Sequence, residues 1–154
     1  MIKALAFIYK KKGLSDGDFK NYYEKNHAPL ATSLLTFEGY ERNFVNANIN
    51  PLFASLGSIS IFQYQSIESL NDIEEQMSSD AGDTLREDEL KFMDVAKNYF
   101  VLTQSDQLTE QRFQKKIFYP CNDEHDLSSL NSYEGLNKIS DNIILESTEM
   151  FGIA

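Results

Sequence analysis

Basic side chains are scarce in this chain: 14 Lys and Arg stand against 24 Asp and Glu, a formal charge of −10 over 154 residues. A surface of that sign repels a phosphate backbone and an anionic bilayer alike, which argues against nucleic acid and membrane as partners. Cysteine is scarcer still. Cys121 is alone, so no disulfide can close within the chain and nothing in the composition points to an oxidising compartment. Long hydrophobic runs are missing too. The apolar stretch from Ala4 to Tyr9 is too short for a membrane span, and Lys10 to Lys12 follow it rather than precede it, unlike a secretory signal. No Gly-rich phosphate loop, nucleophile elbow or zinc-protease motif is present, so nucleotide, flavin and metal cofactors are not expected. A cytoplasmic protein is the expectation, one domain long enough to bury a core without staples.

What is present is concentrated in Leu14 to Leu30, LSDGDFKNYYEKNHAPL. The Ser15 hydroxyl can cap a helix, and Asp16 and Asp18 suit the positive end of its dipole. Phe19, Tyr22, Tyr23 and His27 then recur on one helical face. Pro29 disfavours helical geometry at Ala28, so the helix is expected to end or kink at His27, with a second helical piece from Pro29 to about Phe37.

The remaining elements follow in order. Residues 2 to 9, IKALAFIY, read as a strand with Ile2, Ala4, Ala6 and Ile8 on one side and Lys3, Leu5, Phe7 and Tyr9 on the other. Neither side is plainly the wet one, so both need cover. Residues 40 to 46 alternate loosely as a strand, NANINP from Asn46 to Pro51 reads as a loop, and SISIFQY from Ser58 to Tyr64 as a further strand. Ser66 opens a helix along Ile67, Leu70, Ile73 and Met77. The segment SSDAGD at 78 to 83 breaks it, and Leu85, Leu90, Met93 and Ala96 suggest another, before a strand from Asn98 to Gln104. Strand, helix, strand, strand, helix, strand is the split βαβ, ferredoxin-like plan of an α+β protein. Its helices cover one sheet face only, and a second copy packed on the other makes a homodimer, a dimeric α+β barrel.

Residues 105–154 lie outside that plan as a C-terminal extension to a domain at 1–104. Arg112 to Tyr119 reads as a strand, Leu127, Leu130, Tyr133 and Leu136 line a helix face, and the apolar run within Asn142 to Phe151 needs burial. The extension is either strand, helix and strand or an arm wrapping the partner.

Several of these residues carry a family resemblance. Ile2-Lys3, then Gly13-Leu14-Ser15, Phe19 and His27-Ala28-Pro29-Leu30 resemble the opening of the EthD family of small dimeric α+β-barrel proteins. EDELKFMD, Glu87 to Asp94, resembles the spacing before that family's last strand through Asp88, Phe92 and Asp94. The resemblance covers about residues 2 to 104 and is strongest over 2 to 30. It implies a ferredoxin-like subunit dimerising through its sheet. It also implies small-molecule chemistry on a hydrophobic or aromatic metabolite: oxidation, cyclisation or dehydration without metal or nucleotide.

His27 is the candidate catalytic group, because imidazole exchanges a proton near neutral pH. The competing reading has it bond a helix end and complete the packing around Phe19 and Tyr23. Tyr9, Tyr23 and Tyr64, beside Tyr22 and Tyr40, are candidates to line a site for an aromatic ligand, or are core residues with one wet end. Arg42 and Asn43 are further candidates, but they sit on opposite faces of one strand, so at most one enters a given cavity. Cys121 and His125, with Asp123, Glu124 and Asp126, are the nearest thing to a metal set. They have no second Cys/His pair, and no metal site is expected. A non-catalytic metabolite-binding or accessory protein is the alternative to an enzyme, and an assembly platform is a third reading.

Overall fold

The computed structural model describes residues 2–45 and 55–104, the side chains of 103 and 104 excepted. The loop read at 46 to 51, the extension 105–154 and the Cys121–His125 set lie outside the described residues. Four strands, β1 (Ile2–Tyr9), β2 (Gly39–Phe44), β3 (Leu56–Tyr64) and β4 (Tyr99–Gln104), form one sheet in the order β2-β3-β1-β4. Every neighbouring pair is antiparallel. The architecture is α+β, on the strand order of the ferredoxin-like plan.

Alternation along β1 assigns its faces. Ala4, Ala6 and Ile8 join Phe19, Tyr23, Ala28, Ile73 and Phe92 beneath the helices. Leu5, with Phe7 and Tyr9 beside it, packs with Leu56, Ile59 and Ile61 on the opposite face. The strand is thus apolar on both sides, as its composition requires, and the described helices lie on one of them. The register slips between Ile8 and Tyr9, where Gly57 passes beneath Phe19 of the first helix. A Cβ on Gly57 would stand 2.5 Å from Phe19 Cε1, so only glycine lets the helix approach this closely.

The helices are α1 (Asp16–Tyr22), α2 (Ala28–Leu34), α3 (Ile67–Met77) and α4 (Asp80–Phe92). None of these described helices is long and apolar enough to cross a membrane. Ser15, Ser66 and Ser79 each accept a backbone N–H at a helix start, the first of them from Asp18 at 3.0 Å.

Two boundaries differ from the sequence expectation. The break at 78 to 83 is confined to Ser78 and Ser79, because the Ser79 hydroxyl accepts from Ala81 N at 3.2 Å and starts α4 at Asp80. Asp80 and Asp83 sit in the first turn, where the helix dipole favours them. At His27 the helix neither stops nor breaks. Tyr23–His27 forms one π-helical turn, and α2 continues directly from it. The widened turn admits Pro29, which has no N–H to give and whose ring would crowd the preceding carbonyls in a regular α-helix.

Candidate functional site

The π turn aims its side chains at three partners. Tyr23 points into the sheet, Glu24 reaches β2, and His27 reaches α4. Both ends of the turn are buried, Tyr23 at 1% exposure and His27 at 5%. The His27 ring lies against Tyr23 and Phe92, with centroids 5.3 and 5.0 Å away.

His27 Nδ1 is 3.0 Å from Asp88 Oδ2. A carboxylate accepts only, so Nδ1 carries the proton and Nε2 is left as the basic nitrogen. Burial pushes the imidazole pKa below its ordinary value, with Asp88 opposing that shift, and the ring is neutral at neutral pH. Asp88 is itself held on its other oxygen, which accepts from Tyr22 OH at 2.6 Å and Lys91 Nζ at 3.3 Å. Burial would raise the Asp88 pKa, but the bonds from Tyr22, His27 and Lys91 outweigh it and leave the carboxyl below its ordinary value. Tyr22, pressed by burial and by Asp88, is pushed up to about 12 and stays a phenol.

A chain of hydroxyls runs from the same turn into the sheet. Tyr40 OH donates to Tyr23 OH at 2.8 Å, Tyr23 OH pairs with Ser60 Oγ at 2.9 Å, and Ser60 with Ser58 at 3.1 Å. Burial raises the Tyr23 pKa to about 12, so these groups relay hydrogen bonds rather than charge. Glu24 takes Arg42 in a two-pronged ion pair, Nε to Oε1 and Nη2 to Oε2 at 3.0 Å each, with the guanidinium 4.7 Å above the Tyr40 ring. One residue past Asp88, Glu89 is buried as well, and burial raises its carboxyl to about 7, with Arg86 opposing and Asp88 adding to the shift.

The structure gathers some of the sequence candidates and separates others. His27, Tyr23 and Arg42 share the helix side of the sheet. Tyr64 is buried on that side too, but at the α3 end, where it lines a groove with Thr36, Phe37, Glu38, Ser69 and Asp72. Tyr9 belongs to the opposite face, its ring 6.4 Å from Tyr99. Asn43, one position from Arg42, bonds the Ile59 carbonyl at 3.0 Å. Asp88 and Glu89 are the additions the sequence did not mark as site residues. Their signal was the EDELKFMD string itself, in which both acids fall on the inward side of α4. Among the described residues no three His, Cys, Asp or Glu side chains converge as metal ligands.

A family model described as the EthD domain matches residues 11–96. The fold is similar to the crystal structure of an ethyl tert-butyl ether D (EthD) family protein from Bacillus halodurans, with 19% identity and a TM-score of 0.51, covering 68% of this chain and 99% of that one. It is also similar to the solution structure of a hypothetical Arabidopsis thaliana protein, with 16% identity and a TM-score of 0.49, covering 70% of this chain and 90% of that one. No curated protein matches the chain.

Proposed function

The chain belongs to the EthD family, and from that premise we propose that it acts on a small hydrophobic or aromatic metabolite held between helices and sheet, with His27 exchanging the proton. The observation that carries this reading is the contact of His27 Nδ1 with Asp88 Oδ2 at 3.0 Å inside an aromatic layer. The carboxylate fixes ring orientation and tautomer and leaves Nε2 as a base, and it stabilises the imidazolium once the proton has moved. Oxidation, cyclisation and dehydration of a phenol or enol all begin with such a transfer, and none of these first steps needs a bound metal or nucleotide. Tyr23 and Phe92 pack on the imidazole as its apolar wall, Arg42 joins the same turn through Glu24, and Tyr64 is an orienting contact for the part of a ligand that extends to the α3 end.

A second copy of the chain packed on the side of the sheet away from α1 to α4 completes the unit as a homodimer, with Tyr9 and Asn43 on that side. The domain ends at 104, and residues 105–154 extend it.

The test uses the full chain. Ligands retained through purification are identified by native mass spectrometry, and their turnover is compared in wild type and His27→Gln. A retained dimer with turnover reduced by about a hundredfold or more supports the reading. Unchanged turnover in a folded His27→Gln dimer overturns the role of His27, and a ligand that leaves unaltered makes the protein a carrier.

A further inference from the structure

The inference below rests on the ligand-binding reading and concerns the same site. Gly82, Leu85, Asp88, Glu89 and Phe92 form the buried side of α4. Glu89 is 6% exposed, and its Oε2 is shut off from solvent without a hydrogen-bond partner. A carboxyl in that state is destabilising, whereas Leu or Met would fill an inward helix position with no such penalty.

The neighbouring polar groups are occupied. Tyr40, Tyr23, Ser60 and Ser58 satisfy one another. Asp88 is taken by His27, Tyr22 and Lys91. Arg86 donates to the Met77 carbonyl and to Asp83. Phe92, one turn beyond Glu89, touches both Tyr23 and His27, at 5.2 and 5.0 Å between centroids, and the Glu89 carboxyl is near enough to Tyr23 to raise its pKa, so carboxyl and imidazole border the same aromatic layer.

We propose that Glu89 is the ligand-recognising acid of the His27 site, its Oε2 placed to hydrogen-bond an oxygen of a carbonyl- or phenol-bearing hydrophobic molecule. Such a ligand supplies the partner the fold withholds, and an oxygen-free hydrocarbon of the same shape does not. The two groups divide the work. Burial keeps the imidazole neutral while it raises the carboxyl to about 7, so at and below that pH one group can receive a proton while the other donates a hydrogen bond. The charged and titratable groups that bear on Glu89 are Arg86 and Asp88 of its own helix and Tyr23 of the π turn.

Two measurements on the full chain test this. Binding of para-cresol and of toluene, which differ by one hydroxyl, is measured by equilibrium dialysis for wild type, Glu89→Leu and Glu89→Gln. The carboxyl of Glu89 is titrated by carbon NMR, assigned from the signal missing in Glu89→Gln. Cresol is expected to bind wild type about tenfold more tightly than toluene, with the difference lost in Glu89→Leu and reduced in Glu89→Gln. The carboxyl is expected to titrate at about 7. If neither probe binds wild type, the ligand-binding reading fails and takes this inference with it. If the probes bind but discrimination survives in Glu89→Leu, or Glu89 titrates near the ordinary carboxylate value, the Glu89 assignment alone is overturned. A collapse of thermal stability in Glu89→Gln would make it a structural residue and equally overturn it.

Discussion

Asp88 grips His27 across the helix layer: Oδ2 stands 3.0 Å from Nδ1, and each side chain is 6% exposed. The contact joins α4 to the π turn, so it sets the helix packing and the imidazole together. Asp88→Asn keeps the shape but removes the charge that raises the His27 pKa. The imidazole midpoint, followed by proton NMR, should move below that of wild type. Asp88→Ala also leaves Nδ1 and Tyr22 OH short of an acceptor, at a cost of about 1–3 kcal/mol in urea unfolding. An imidazole midpoint that rises in Asp88→Asn would show that the carboxylate does not stabilise the imidazolium.

Glu89 and His27 give stability opposite dependences on pH. The His27 pKa is depressed in the folded state, so its contribution is present above the unfolded value of 6.5 and lost as pH falls below it. The Glu89 pKa is raised from 4.5 to about 7, so its contribution is full below 4.5 and lost as pH rises through about 7. A shift of that size corresponds to about 3 kcal/mol. Glu89→Gln cannot ionise. From about pH 5 to about pH 8 it should lack that loss, so wild type declines relative to it in urea midpoint, while His27→Gln keeps the Glu89 slope.

The strand order, the helix starts at Ser15 and Ser66 and the apolar duality of β1 were legible in the sequence because each follows from nearest-neighbour chemistry and period. The α4 face was not. Leu85, Leu90, Met93 and Ala96 looked like its apolar stripe, yet Leu90 is 58% exposed while Asp88 and Glu89 face inward. Acids read as solvated in any periodicity, and only the approach of Tyr22 and His27, more than sixty residues away in sequence, makes the inward Asp88 tenable. The π turn was half legible. Pro29 signalled a disruption, but Phe19, Tyr23 and His27 recur in two successive steps of four, which overruns the α-helical period, and the wider turn absorbs the excess.

Gly82 and Gly17 should respond in opposite ways to alanine. A Cβ on Gly82 would run into the Met77 carbonyl where α4 starts against the end of α3, and backbone cannot step aside as a side chain does. Gly82→Ala should lose about 2 kcal/mol of stability by overpacking. Gly17 is exposed in α1, with only Ser15 Oγ nearby at 3.8 Å, so Gly17→Ala should gain about 0.5–1 kcal/mol. Equal effects in urea unfolding would show that the α3–α4 junction is not the tight contact described.

The hydroxyl chain makes a prediction about coupling. Tyr23 OH accepts from Tyr40 and pairs with Ser60, so Tyr23→Phe leaves two buried hydroxyls each short of a partner, while Tyr40→Phe removes only the first donor. The ring contacts of Tyr23 with Phe19, Phe44 and Phe92 are kept by Phe, so the loss reports hydrogen bonding rather than packing. Tyr23→Phe should therefore cost about 1–3 kcal/mol and Tyr40→Phe less. In the double variant Tyr40 no longer has a stranded hydroxyl, so its cost should fall below the sum of the singles by about 0.5–1 kcal/mol, a non-additivity that a double-mutant cycle measures directly. Strict additivity would mean that the two phenols do not share a hydrogen bond, and that the polar anchor of the His27 turn to β2 is the Glu24–Arg42 pair, beside the ring contacts of Tyr23 with Tyr40 and Phe44.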